Sequence, residues 1–180
     1  MKLIKQKAEL LSWEPGIEGI YKAIERVGRT CYKSEDKITE GSAKPFVDRM
    51  IASSHFAMLE HGTVYLYLEV NPENTFKEFN YPLAQFTAHY NWSDVVGHIA
   101  SKYRTNNYSK VTTTITKDNK TIRRVYITTN FRVIVENNWF DDLQFICDPT
   151  EYHEMRYSFK LITDRGVSHE LVRHKLLCVA

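Results

Sequence analysis

Cysteine is scarce in this chain. Cys31, Cys147 and Cys178 are odd in number, widely spaced and form no CxxC pair. That pattern excludes a disulfide framework and reads as reduced thiols of a cytoplasmic protein, buried and structural rather than nucleophilic. Glycine is sparse as well: seven residues are scattered with no GxGxxG or GKS/T string, so no Gly-rich phosphate loop is present. No apolar run approaches the ~18 residues of a membrane span. The start, Met1-Lys2-Leu3-Ile4-Lys5-Gln6-Lys7, alternates charged and apolar residues and lacks the apolar stretch of a signal peptide. An excess of one charge is missing too. With 24 Lys and Arg against 22 Asp and Glu, the net charge of +2 is too small to imply a nucleic-acid partner. There is no internal repeat and no low-complexity segment.

Aromatic residues are what the chain has in quantity: eleven Tyr and nine Phe bring the aromatic share to 13%. Such a share points to stacking surfaces or a β-containing core. Its 180 residues fit a single domain able to bury a sizeable core. Residues 2–10 alternate as a first strand. Pro15-Gly16 opens a helix whose Ile17, Ile20, Tyr21, Ile24 and Val27 make one apolar face, ended or kinked at Gly28. A second helix starts near Ser42 and carries Phe46, Val47, Met50 and Ile51. The clearest strand runs from Thr63 to Val70. Residues 71–110 read as loops and short helices. Two β-branched runs, Lys110–Thr116 and Thr121–Thr128, flank a four-residue turn as a hairpin. Two short helices follow at 130–137 and 140–146, then a strand over 155–163, and a terminal helix capped by Asp164. The fold class is α+β, with a mixed or antiparallel sheet and flanking helices, because no regular βαβ alternation appears. The domain spans 1–180, with an insertion-like region at about 71–150.

The chemistry concentrates near the end of the chain. On the terminal helix Glu170, Arg173, His174 and Leu177 share one face, while Val167 and Leu171 form a stripe suited to packing. Arg173 offers a planar fork for phosphate or carboxylate, with His174 and Lys175 as neighbouring donors. A solvated basic helix end is the plainer reading of that triplet. Metal ligation is not expected. His169 and His174 lie five apart, about 140° around a helix, where a zinc helix needs i and i+4. His55, Glu60 and His61 form a second polar group, in a turn ahead of the Thr63 strand.

Three segments in this order resemble the flavin-dependent thymidylate synthases. They are Arg29-Thr30-Cys31-Tyr32-Lys33-Ser34, then Ser54-His55-Phe56-Ala57-Met58-Leu59-Glu60-His61, then Phe159 through Lys175 with its core Asp164-Arg165-Gly166-Val167-Ser168-His169-Glu170-Leu171-Val172-Arg173-His174. The resemblance implies an enzyme that makes dTMP from dUMP. Methylene-tetrahydrofolate would give the carbon, and FAD, recharged by NADPH, the hydride. It also implies a homotetramer with active sites between subunits. By position, Arg173 would be the catalytic residue, lying between flavin and dUMP and contacting both, with His174 and Lys175 on the FAD side. Glu170 would contact dUMP, and His55 and Ala57 would contact FAD. Lys175 stands where the family has Arg, and Ala57 where it has Ser or Thr. The family's later Ser and Arg-Tyr would fall beyond Ala180, so the expectation is a chain that stops within the signature. Asn130-Phe131-Arg132 looks like a flavin-contacting Asn-x-Arg of the family, but out of order, and is not carried over. Two other readings stand beside this one. One is a non-catalytic relative that only oligomerises or binds nucleotide weakly. The other is a nucleic-acid module built on Tyr103, Tyr108, Arg104, Lys110, Arg123 and Arg124.

Overall fold

A computed structural model describes residues 5–71, 92–116 and 122–171. The fold is α+β, with antiparallel sheets flanked by helices. The chain divides into two compact units. One comprises Met1–Gly62 with Arg156–Ala180, and the other Thr63–Met155. The second unit thus takes in the insertion-like stretch together with the strand before it.

In the first unit, β1 (Lys7–Leu10) pairs antiparallel with β5 (Phe159–Ile162), placing Leu10 opposite Phe159 and Ala8 opposite Leu161. Among the described residues these strands are shorter than the runs expected at 2–10 and 155–163, and all eight of their residues are exposed. Helix α1 (Gly16–Cys31) begins on Gly16, whose φ of 71° suits the residue after Pro15. Its Ile20 and Ile24 are buried. Helix α2 (Ala43–Ala52) buries Phe46, Val47 and Met50. Gly28 does not end α1, which runs on to Cys31. It lies inside the helix because a Cβ there would meet the Phe46 ring at 2.5 and 2.7 Å. The missing side chain lets the two helices approach.

Beside that contact sits Glu25, 2% exposed. Its Oε1 accepts from Arg29 Nε and Nη2 at 3.1 and 3.0 Å, and its Oε2 from Ser42 Oγ at 2.8 Å. Arg29 also lies over the Phe46 ring, 4.9 Å from its centroid. A buried carboxylate is tolerable only when charge and lone pairs are met in this way.

The second unit is built on a sheet ordered β2 (Thr63–Val70), β4 (Ile122–Asn130), β3 (Lys110–Thr116), antiparallel throughout. Strand alternation puts Val64, Leu66 and Leu68 on one face with Val125 and Ile127, all buried. Helix α3 (Trp92–Arg104) covers that face with Val95, Val96, Ile99, Ala100 and Tyr103. Over 92–104 this single helix replaces the loops and short helices expected there, while residues 72–91 lie outside the described residues. Helix α4 (Phe131–Glu136) is capped by Asn130, whose Oδ1 accepts from Val133 N at 3.0 Å. A 3₁₀ helix over Phe140–Phe145 brings in Asp142, fully buried, which accepts from Tyr103 Oη at 2.7 Å and pairs with Lys102 Nζ at 2.6 Å. Lys102 in turn lies 4.6 Å over the Trp139 ring. Helix α5 (Arg165–Leu171) starts on Asp164, whose Oδ1 accepts from Val167 N at 3.0 Å, as expected of a cap. No residue of α5 is buried, so Val167 and Leu171 are not the packing stripe that their spacing suggests.

Two substitutions test these supports. Gly28→Ala forces the Phe46 ring aside and should cost about 1–3 kcal/mol in chemical denaturation; no measurable loss would mean that the helices do not approach as closely as described. Asp142→Ala leaves a nearly buried ammonium without its counter-charge and should cost about 3–5 kcal/mol. A cost below about 1 kcal/mol would show Lys102 to be solvated in the folded protein.

Candidate functional site

The polar group of the first unit is assembled where two helices end. Both stop by the same device, a left-handed residue just past the cap. After α1 this is Lys33, with φ 50°, and Ser34 N bonds back to Arg29 O at 2.9 Å. After α2 it is Ser54, with φ 58°, and His55 N bonds back to Met50 O at 2.9 Å. Each bond spans five residues and satisfies a terminal carbonyl of its helix. Residues with a Cβ adopt this conformation at a cost, so both turns are held by their surroundings.

These turns present Tyr32 and His55 to each other, with Tyr32 Oη 3.1 Å from His55 Nδ1. Both side chains are exposed. The contact joins the first and second of the three segments that carry the family resemblance, which lie more than twenty positions apart in sequence. Ala57 follows in the 3₁₀ helix Phe56–His61, its methyl group exposed. Leu59 of the same turn is fully buried and anchors it. Glu60 and His61 are half-buried, and burial holds the His61 imidazole below its ordinary value, with Glu60 acting in the opposite sense.

The other expected site residues fall elsewhere. Glu170 is exposed near the end of the described part of α5. Arg173, His174 and Lys175 lie outside the described residues, as does Cys178. Cys31 is exposed, not buried as the cysteine pattern suggested.

Cys147 is half-buried and has a histidine beside it, a pairing the sequence did not single out. Its Sγ is 3.8 Å from His153 Nε2. The geometry is nonetheless that of a packing contact. His153 Nδ1 accepts from Thr150 N at 3.1 Å, which leaves Nε2 as the protonated atom, 3.2 Å from Leu66 O. An imidazole held that way cannot take the thiol proton at Nε2, and burial pushes the Cys147 thiol up to about 11. The His153 ring stands edge-on to Tyr65 and Tyr126, with centroids 5.3 Å from each. Among the described residues no three His, Cys, Asp or Glu side chains converge as metal ligands.

The six residues considered for nucleic-acid binding do not form one patch. Tyr103 is fully buried. Arg123 and Arg124 are neighbours on β4 and so point to opposite faces. Arg123 Nη2 donates to Ser93 O and Oγ at 3.1 and 3.0 Å, and Arg124 Nε to Glu69 Oε2 at 2.9 Å. Arg104 donates to Thr113 Oγ1 at 2.7 Å. Tyr108 and Lys110 remain exposed. No helix among the described residues is long and apolar enough to cross a membrane.

Compared with known proteins, the chain matches no family model, no curated protein and no solved structure.

Buried His153 and half-buried His61 set a pH dependence. Burial lowers both His61 and His153 from 6.5, and the Leu66 carbonyl only partly offsets the effect at His153. As pH falls below about 6.5 the unfolded chain takes up these protons before the folded one, so stability is lost on acidification. The urea midpoint should drop between about pH 7.5 and pH 5.5, and His61→Gln should make that drop shallower. An unchanged slope in the variant would show His61 to be solvated.

Proposed function

We propose that this chain is a flavin-dependent thymidylate synthase or the portion of one that carries part of its flavin site. On this reading it acts on dUMP with methylene-tetrahydrofolate as carbon donor, NADPH as reductant and FAD as the resident cofactor, within a homo-oligomer. The observation that carries the reading is the Tyr32–His55 contact. Two of the three family-like segments meet side chain to side chain at a solvent-facing turn, although nothing in local sequence forces them together.

The residues present fit a flavin there. His55 Nε2 points away from the Nδ1 that meets Tyr32 and suits a hydrogen bond to the flavin ring, while the exposed Ala57 methyl suits an apolar ring face. Ala57 supplies no hydroxyl, so the hold on FAD at that point is contact rather than a hydrogen bond. FAD, when bound, supplies the hydride chemistry, and no protein nucleophile is needed. That agrees with a Cys147 thiol that burial keeps protonated. On this reading Arg173 and Lys175 meet the phosphates as charge-assisted donors, His174 adds a further contact on the FAD side, and Glu170 faces dUMP.

The test begins with the visible spectrum of the purified protein and titration of added FAD. Flavin absorbance, FAD affinity reduced about tenfold or more in His55→Ala, and dTMP formation from dUMP would support the reading; a tenfold loss matches one charge-assisted or well-placed hydrogen bond. Bound flavin without dTMP formation would leave a nucleotide-binding relative without the synthase activity. No flavin binding at micromolar protein would overturn the reading altogether.

A further inference from the structure

A neutral imidazole has one donor and one acceptor nitrogen, and which is which depends on the tautomer; beside His55 the structure contains a group that decides. Tyr32 Oη lies 3.1 Å from His55 Nδ1. Of the two possible directions, phenol O–H to imidazole nitrogen is favoured. The imidazole nitrogen is the stronger base and the phenol the stronger acid. The opposite arrangement would use the poorer donor and the poorer acceptor.

We propose that Tyr32 is a positioning residue for His55. Its hydroxyl donates to Nδ1 and thereby fixes the proton on Nε2, so the site presents one outward N–H and selects a ligand with a hydrogen-bond acceptor at that point.

The contact is more than two surface side chains that happen to touch. Tyr32 is the residue before left-handed Lys33, and His55 the residue after left-handed Ser54. Each turn is pinned by its own bond back into its helix, Ser34 N to Arg29 O and His55 N to Met50 O. The helices are pinned to each other, because Glu25 binds both Arg29 of α1 and Ser42 at the start of α2, and Gly28 admits the Phe46 ring. With both backbones fixed, only side-chain rotamer freedom remains to be lost when the two rings meet. The ligand atom selected is a carbonyl oxygen or an unprotonated ring nitrogen of a heteroaromatic. Identifying it as an atom of the flavin ring rests on the function proposed above, whereas the role of Tyr32 does not.

Imidazole nitrogen NMR of the protein at about pH 8, where an ordinary imidazole is neutral, tests the role without any ligand. In the wild-type protein His55 is expected with Nε2 protonated and Nδ1 bare. In Tyr32→Phe the ratio of the two tautomers should fall about fivefold, the bias that one net hydrogen bond supplies. A merely structural Tyr32 would leave that ratio unchanged, and an unchanged ratio overturns the proposal, as does a protonated Nδ1 in the wild type. Tyr32 is 47% exposed and its ring is kept in the variant, so the fold should persist, as the melting curve can show. A double-mutant cycle with FAD as probe adds a second arm. Tyr32→Phe should weaken FAD binding when His55 is present and have no effect in the His55→Ala background. Equal losses in both backgrounds would overturn positioning through His55. If the tautomer shifts as expected but FAD does not bind at all, the positioning role stands and the flavin reading falls.

Discussion

A carboxylate removed from water must be answered on every side, and in the first unit Glu25 imposes that demand. It is 2% exposed and lies one residue after fully buried Ile24 on α1. Its charge requires Arg29 one turn on, and its second oxygen requires Ser42, seventeen residues away. Because a buried ion with a partner removed is far costlier than a surface one, these contacts act as a locator for the end of α1 against the start of α2. The Phe46 ring, admitted by Gly28 and covered by the Arg29 guanidinium, completes the joint. Everything proposed for Tyr32 and His55 depends on it, since Tyr32 follows directly on the end of α1 that it holds and His55 on the far end of α2.

The second unit solves the same problem with different residues. Asp142 is fully buried in a 3₁₀ helix and takes the Tyr103 hydroxyl and the Lys102 ammonium, both from α3. Burial alone holds Lys102 below its ordinary value, while the carboxylate raises it again. On the opposite side of the sheet, a neutral histidine does similar work. His153 ties the Thr150 turn to the Leu66 carbonyl and lies against two tyrosines. These buried polar groups of the second unit are thus consumed in holding it together. By contrast, the exposed pair in the first unit faces solvent.

The legible parts of the sequence were those with local causes. The strand Thr63–Val70 and the hairpin strands Lys110–Thr116 and Ile122–Asn130 follow from β-branched runs. The start of α1 follows from Pro15-Gly16, and the α5 cap from Asp164. Helix α3 was missed although its signal is present: Trp92, Val95, Val96, Ile99, Ala100 and Tyr103 recur at helical spacing and are all buried. Pro82 and the asparagines near it carry turn signals that precede Trp92 and do not extend into the helix. Gly28 was misread for a related reason. Glycine as a helix breaker and glycine as a close-packing position look alike until the facing ring is known.

Of the candidate site, the sequence picked out His55 and Ala57 through their resemblance to a family pattern, but no spacing rule could show that Tyr32 reaches His55. That contact depends on two left-handed turns and on the packing of two helices, neither written in any short window. Likewise, Cys31 and Cys147 look equivalent in the sequence, yet one is exposed and the other lies beside a histidine whose proton faces a carbonyl. The sequence by itself determined the elements, because periodicity, caps and turn chemistry act over a few residues. The tertiary structure alone decided which polar groups meet and which are buried, because charge compensation and side-chain approach act between residues that only the folded chain brings together.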